Sequence, residues 1–142
     1  MKPNIRFAGW LPDEQVRSHY ARCRAFIFCG EEDFGINPLE AQAMGRPVIA
    51  LARGGALETV IPDRRSWKPE TEVAEEETAH PAGAFFYEKP PEALRLAVRH
   101  FETIENGFET KAIRKHALEL DVDTFSDQIQ HFIQERFQKH QC

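Results

Sequence analysis

Three short apolar runs, at residues 25–29, 47–51 and 83–87, constrain the fold of this chain more than any other feature. They do not alternate between apolar and polar residues, and continuous runs of this kind are typical of parallel strands that are buried on both faces. The first two runs are each followed by a glycine-containing loop and a helical pattern, at residues 38–44 and 56–60. This order predicts an α/β fold with a Rossmann-like parallel sheet and flanking helices.

Weaker patterns extend the domain in both directions. Residues 5–8 are expected to form a strand that Gly9 closes. Residues 12–22 are expected to form a helix, because a proline and two acids precede apolar positions at helical spacing. Amphipathic patterns predict three helices further on, in a carboxyl-terminal part that includes residues 108–139. Their expected ranges are 90–101, 109–120 and 125–139.

The chain of 142 residues has the length of one domain. With 42% hydrophobic residues, it can bury a core without disulfides or metals. Acids are dense and large apolar residues are few between residues 63 and 81, apart from Trp67. This segment is therefore expected to be an exposed acidic insertion, either a solvated loop or a surface that binds a partner.

Charge and cysteine content narrow the function classes. The net charge is −5 and the chain has no basic stripe, which argues against nucleic-acid binding. The three cysteines lack framework spacing and indicate reduced thiols in a cytoplasmic protein, with Cys23 and Cys29 as small core residues. No apolar stretch approaches the ~20 residues of a membrane span. Peripheral contact with the inner face of a membrane stays compatible with this sequence.

No metal site is expected, because neither the cysteines nor the histidines have ligand spacing. The histidines are interpreted as surface residues. They are His19, His80, His100, His116, His131 and His140.

The segment from residue 32 to residue 50 carries the chemistry. Asn37 is suited to cap a helix, Pro38 fits its first turn, and Gly35 can take a positive φ that lets a ligand approach the backbone. The amides of residues 36–39 would then be unpaired donors at the positive end of a helix. An anion is expected to bind there.

Two carboxylates flank this anion site, Glu32 before the turn and Glu40 within the helix. Carboxylates repel phosphate but accept hydrogen bonds from hydroxyl groups. A ligand with hydroxyls on both sides of a diphosphate fits this layout, and a nucleotide sugar is such a ligand. Two structural alternatives stay open: Glu40 as the second half of a capping box, and Glu32 as an ordinary exposed loop acid.

The same segment resembles the E-x7-E motif of retaining glycosyltransferases with the GT-B fold, especially glycosyltransferase family 4 (group 1). Three further segments resemble the family in the expected order. The residues at 7–11 are similar to its strand and turn beside the base, those at 54–58 to its second glycine loop, and those at 82–94 to the segment after the core motifs. The resemblance therefore covers nearly the whole chain apart from the acidic insertion. It is nearest to mannosyltransferase-like members that make surface polysaccharide.

The resemblance implies a role for each matching residue. Contacts with the donor sugar are implied for Glu32, Phe34, Gly35 and Ile36. Contacts with the diphosphate are implied for Asn37, Pro38, Gly54 and Gly55. Contacts with the ribose and base are implied for Leu39, Glu40, Gly9, Trp10 and Leu11. The Gly54-Gly55 pair has a plain tight turn as its structural alternative, and Trp10 is expected to be divided between core and pocket wall.

The implied reaction moves a hexose, with mannose from GDP-mannose as the first candidate and UDP-linked donors as alternatives, to a glycan or lipid-linked acceptor. It needs no metal and no cofactor besides the donor, and no catalytic nucleophile or base is assigned. The family's preceding strand and helix, with an Arg and a Lys for the diphosphate, and its acceptor domain are absent from this chain. It is therefore expected to be inactive alone, as a fragment, a truncated reading frame or a subunit.

Two consequences and two alternatives accompany this expectation. A missing amino-terminal domain would leave apolar surface on the last helices, so self-association is expected. The main alternative function is a non-catalytic module or subunit that binds a nucleotide or nucleotide sugar. A GT-B epimerase or phosphorylase is a weaker reading, because the histidine-bearing first domain and a cofactor lysine motif are both lacking.

Overall fold

The computed structural model describes residues 4–64, 80–89 and 91–140. A three-stranded parallel sheet lies at its centre, with β1 (Phe26–Phe28), β2 (Val48–Leu51) and β3 (Gly83–Phe86) in that order. Phe26 pairs with Val48, and Val48 pairs with Gly83. Each strand lies within one of the three apolar runs, so the prediction of an α/β fold with a parallel sheet and flanking helices is confirmed.

Helices cover both faces of the sheet, and each predicted helix is present with shifted ends. They are α1 (Asp13–Arg22), α2 (Ile36–Ala43), α3 (Ala56–Thr59), α4 (Pro91–Ile104), α5 (Thr110–Leu118) and α6 (Val122–His140), with a short 3₁₀ turn at Glu105–Gly107.

The core has two parts because successive side chains of a strand point to opposite faces. Val48 and Ala50 of β2 pack on the side of α2 and α3. Ile49 and Leu51 pack with α4 on the other side. All four β2 residues are buried, as expected for a central parallel strand. Burying each Ile or Leu side chain contributes roughly 1.5–3 kcal/mol.

The strand predicted at residues 5–8 is wrong. In the described chain, residues 5–9 have no regular secondary structure. Phe7 is 81% exposed and Trp10 is 87% exposed, so Trp10 is not divided between core and pocket wall. The outer edge of β1 stays unpaired among the described strands, and the segment before α1 does not pair with it.

Most of the acidic insertion, residues 65–79 with Trp67, lies outside the described residues. Its predicted first residue, Asp63, is buried, and the Asp63 amide donates to the Gly83 carbonyl oxygen at 2.7 Å. The segment therefore does not begin as an exposed loop at residue 63. Asp63 is held against β3 because its backbone continues the pairing of Pro62 with Gly83.

Two other expectations about burial are wrong. Cys29, predicted as a core residue, is exposed just beyond β1, whereas Cys23 is half-buried. The predicted packing face of the last helix is also exposed, because α6 contains no buried residue in the described structure. By contrast, the packing role predicted for Ile113 in α5 is confirmed, with 1% of that residue exposed.

Candidate functional site

The start of α2 differs from the predicted one by two residues. Gly35 occupies the N-cap position with φ 82°, and the helix begins at Ile36. Asn37 is therefore not the cap and Pro38 is not at the first helical position. A residue with a Cβ adopts this left-handed backbone only at a cost, so glycine decides where the helix begins. The amides of Gly35, Ile36 and Asn37 have no partner within the helix and lie at its positive end.

This shift removes one of the two readings of Glu40. A capping box needs its acid at the third helical position, which Pro38 occupies, so Glu40 in the second turn is not part of one. Glu40 is exposed and lines a groove of about 250 Å³ between α1 and α2. Its side chain is therefore placed beside a concave surface and not back over the helix start.

Tyr20 of α1 faces Glu40 across this groove. Burial raises the pKa of the Tyr20 phenol, and the negative charge of the nearby Glu40 carboxylate raises that pKa further. The Tyr20 ring also packs edge-on against Phe26 of β1, with ring centroids 5.3 Å apart. The groove thus has one wall that is anchored to the sheet.

The glycine pair Gly54-Gly55 lies directly against the loop that carries Glu32. The Gly55 amide donates to the Glu32 carbonyl oxygen at 2.7 Å. A Cβ at Gly54 would come within 2.4 Å of that oxygen, and one at Gly55 within 2.3 Å of the Phe34 carbonyl oxygen. A plain tight turn does not account for both glycines, because both are required for the two loops to touch.

The two acids accordingly lie on two sides of the start of α2. The Glu32 loop packs on Gly54 and Gly55 next to α3, whereas Glu40 faces α1. Glu32 is itself exposed. The α1–α2 groove that Glu40 lines contains neither Glu32 nor the Gly35 cap.

Three loops converge beyond the carboxyl ends of the strands, which is where ligands bind in open α/β sheets. Glu31 follows β1, and its carboxylate oxygen lies 3.8 Å from an Arg53 nitrogen and 3.6 Å from the Lys89 nitrogen. Arg53 follows β2 and Lys89 follows β3. Neither Arg53 nor Lys89 is predicted as a site residue from the sequence, because their proximity to Glu31 depends on the parallel order of the strands.

A network of buried polar groups joins α2, α3 and α5 beneath the candidate site. The fully buried Gln42 of α2 donates through Nε2 to the Pro38 and Thr59 carbonyl oxygens, at 3.3 and 3.1 Å. The Thr59 hydroxyl donates to the Gly55 carbonyl oxygen at 2.9 Å. His116 Nε2 lies 3.1 Å from the Thr59 carbonyl oxygen, which also accepts from Gln42. His116 is thus half-buried and is not the surface residue that the sequence predicted. Its spacing in a helical pattern carried no signal of this contact.

Residues before α1 contribute less than expected. The groove beside Glu40 is lined by side chains of α1 and α2, so among the described residues Gly9, Trp10 and Leu11 are not part of its wall. Gly9 has φ 67° and is exposed, and Leu11 is half-buried. Their proximity to a bound base stays a prediction.

The remaining candidates lie around the helix start. Phe34 and Ile36 are exposed, and Leu39 is half-buried. Phe34 also lines an apolar groove of about 330 Å³ with the beginning of α6, including Val122 and Phe125. The loop and the beginning of the carboxyl-terminal helix therefore form two sides of one groove.

Neither a metal-ion cluster nor a membrane-spanning helix occurs in the described residues, 4–64, 80–89 and 91–140. No group of three or more His, Cys, Asp or Glu side chains is placed to hold a metal ion there. Within the same residues, no helix combines the length and apolar character that crossing a membrane requires.

Comparison with known proteins adds two kinds of likeness. Residues 1–113 match the family described as glycosyl transferases group 1. The chain is 37% identical over 62 residues to the alpha-1,3/1,6-mannosyltransferase ALG2 of Dictyostelium discoideum, and 37% identical over 65 residues to that of Schizosaccharomyces pombe. These matches cover 43% and 45% of this chain but only 15% and 13% of the two relatives.

A solved structure resembles the whole fold. The sucrose-phosphate synthase of Thermosynechococcus elongatus superimposes with a TM-score of 0.66 at 22% sequence identity. The superposition covers 94% of this chain and 30% of the synthase. At this identity the likeness concerns the fold.

Proposed function

Since this chain belongs to the glycosyl transferases group 1 family, we propose that it is the donor-binding part of a retaining glycosyltransferase. It holds a nucleotide-diphosphate sugar across the start of α2. The observation that carries the proposal is the Gly35 cap, which leaves free amides between a loop bearing Glu32 and a groove bearing Glu40.

Each part of the donor has a place in this arrangement. The diphosphate lies over the amides at Gly35, Ile36 and Asn37, where the helix dipole favours negative charge. The Glu40 carboxylate accepts hydrogen bonds from the ribose hydroxyls in the α1–α2 groove, and the Glu32 carboxylate accepts them from the sugar. Phe34 lines the sugar.

Three residues act through the backbone. Pro38 at the third helical position has no N–H group, and the Gly54-Gly55 pair lets the Glu32 loop pack against the turn before α3. Leu39 and the segment at Gly9, Trp10 and Leu11 border the nucleoside.

The chemistry follows from where charge develops. Breaking the bond between the anomeric carbon and the diphosphate places negative charge on the departing phosphate. Preorganised amide donors at a helix start stabilise that charge without reorganisation. Holding donor and acceptor in line supplies a further part of the rate enhancement. No side chain of this chain is assigned as nucleophile or base.

The finer identity of the substrates is also a proposal. The two relatives named as mannosyltransferases support mannose from GDP-mannose as the first candidate donor, with UDP-linked hexoses as alternatives. The acceptor is a glycan or a lipid-linked glycan, as in polysaccharide biosynthesis, and it binds to a second domain. Because the chain spans less than a sixth of these relatives, it is inactive alone on this proposal.

Calorimetric titration with GDP, UDP and GDP-mannose tests the site. Glu40→Gln is expected to weaken GDP and GDP-mannose equally, by roughly 10- to 100-fold, because it removes a charged acceptor. Glu32→Gln is expected to weaken GDP-mannose and leave GDP unchanged. The exposed acid Glu92 lies in α4, on the other face of the sheet, so Glu92→Gln is the matched control. Unchanged affinity in both site variants would contradict the proposal.

A further inference from the structure

Tyr20 lies in the same groove as Glu40, on the opposite helix. The two residues line the same groove, with Tyr20 projecting from α1 and Glu40 from α2. Phe26 of β1 restricts the Tyr20 ring, which packs edge-on against it with an interplanar angle of 85°. Phe26 in turn stacks on Phe28, whose side chain is buried in the core. The hydroxyl is thus carried by a ring that the sheet keeps in place.

We propose that Tyr20 is a positioning residue for Glu40: its hydroxyl donates a hydrogen bond to the carboxylate and holds it in the orientation that receives the ribose hydroxyls. The proposal rests on the proposed function, which gives Glu40 its ligand. It adds a residue from α1, an element to which the proposed function assigns no other contact.

A hydrogen bond from the Tyr20 hydroxyl would restrict the Glu40 side chain and leave it free to accept from the ribose. An ionised carboxylate has about four lone-pair sites, so one bond from Tyr20 leaves sites free for two ribose hydroxyls. Glu40 is exposed, and an exposed glutamate loses rotamer freedom when a ligand binds. A partner that restricts the side chain beforehand lowers that cost and raises affinity.

Two other charged side chains, Asp13 and Arg17 of α1, line the same groove. Cys23, just after α1, acts on the Tyr20 phenol more weakly than Glu40 does. A purely structural contact, in which Tyr20 only fastens α1 to α2, is the competing explanation. The two differ in whether loss of the hydroxyl changes ligand discrimination or only stability.

The first test measures the preference for ribose. GDP is titrated against its 2′,3′-dideoxy analogue, and UDP against its own, with the wild-type chain, Tyr20→Phe, Tyr20→Leu and Glu40→Gln. Tyr20→Phe keeps the ring on Phe26 and removes only the hydroxyl. It is expected to reduce the preference for the ribonucleotide about fivefold, the effect of one hydrogen bond, and to leave dideoxynucleotide affinity unchanged. Tyr20→Leu, which also loses the ring contact, is expected to lower the melting temperature as well.

The outcomes separate the two proposals. If Glu40→Gln abolishes the ribose preference and Tyr20→Phe retains it, the positioning role is overturned and the proposed function stands. If Tyr20→Phe weakens both ligands equally, the contact is structural and the positioning role is again overturned. If the wild-type chain shows no ribose preference, both proposals fail.

The second test needs no ligand. The chain has two tyrosines, so the absorbance titration of Tyr20→Phe identifies Tyr20 by difference. Glu40→Gln removes a negative charge and a hydrogen-bond acceptor, so it is expected to lower the pKa of Tyr20. Asp13→Asn, from the same groove, is the control and is expected to have a smaller effect. An unchanged Tyr20 titration in Glu40→Gln would overturn the contact itself.

Discussion

Helices α5 and α6 are neighbours in sequence, and both have the apolar periodicity of a packed helix. In α5 that face is buried, with Ile113 only 1% exposed and His116 in contact with Thr59. In α6 the face is open along the whole helix, and Ile133 is 57% exposed. The periodicity of apolar residues therefore predicts a helix but not whether its apolar face is buried. α5 packs on α2, whereas the beginning of α6 lines a groove with Phe34.

The candidate site depends on α5, the buried one of these two helices, because α5 packs on α2. α2 lies between α1 and α5, and the Gln42–Thr59–His116 network joins it to the Gly55 loop. We therefore expect changes on α5 and α2 to disturb both folding and ligand binding. Changes along α6 are expected to affect neither strongly in this chain.

The largest expected difference is between two identical substitutions. Ile113→Ala is expected to lower the free energy of unfolding by about 2–5 kcal/mol, because it leaves a cavity between α5 and α2. Ile133→Ala is expected to change it by less than about 0.5 kcal/mol. Urea denaturation followed by circular dichroism measures both. A loss of comparable size in Ile133→Ala would mean that α6 is covered in solution, and would remove the contrast.

A smaller effect is expected in the buried network. Gln42→Leu removes two hydrogen bonds, but it also removes the buried Gln42 Oε1, for which the described residues provide no partner. The net loss of stability is expected to be about 1 kcal/mol. The matched control is Gln130→Leu on the exposed part of α6, with no loss expected. Equal denaturation midpoints for Gln42→Leu and the wild-type chain would show that the network does not stabilise α2.

The smallest expected effect concerns pH and the first turn of α6. The Thr124 amide donates to Asp121 Oδ1 at 2.8 Å, and this bond is the main cause of the lowered pKa of Asp121. Because the folded-state pKa is depressed, the carboxylate stabilises the helix at neutral pH. That contribution is lost as the pH falls below about 4.

Nuclear magnetic resonance of the Thr124 amide across an acid titration checks this effect. Asp121→Ala is expected to fray the first turn of α6 at neutral pH and to flatten the acid transition. Asp127→Ala, from the middle of the exposed helix, is the control and is expected to keep the transition. An acid transition of full size in Asp121→Ala would assign the cap to another group.

Much of the fold was predictable because it depends on short-range patterns. The runs at 25–29, 47–51 and 83–87 predicted three buried strands, and their neighbours predicted the helices. The segment at 5–8 was also predicted as a strand but forms none, because local residue type does not decide which segments pair. The half-buried His116 and the exposed Cys29 were missed because the burial of a single side chain depends on which elements pack around it.

Residue type and spacing were enough to predict the α/β order, the parallel sheet and the positions of Glu32 and Glu40 around a helix start. Tertiary packing was needed to show that Gly54 and Gly55 touch the Glu32 loop and that Tyr20 and Glu40 line one groove. It also decided which amphipathic helix is covered. These contacts join residues far apart in the chain, and their geometry depends on how the layers pack.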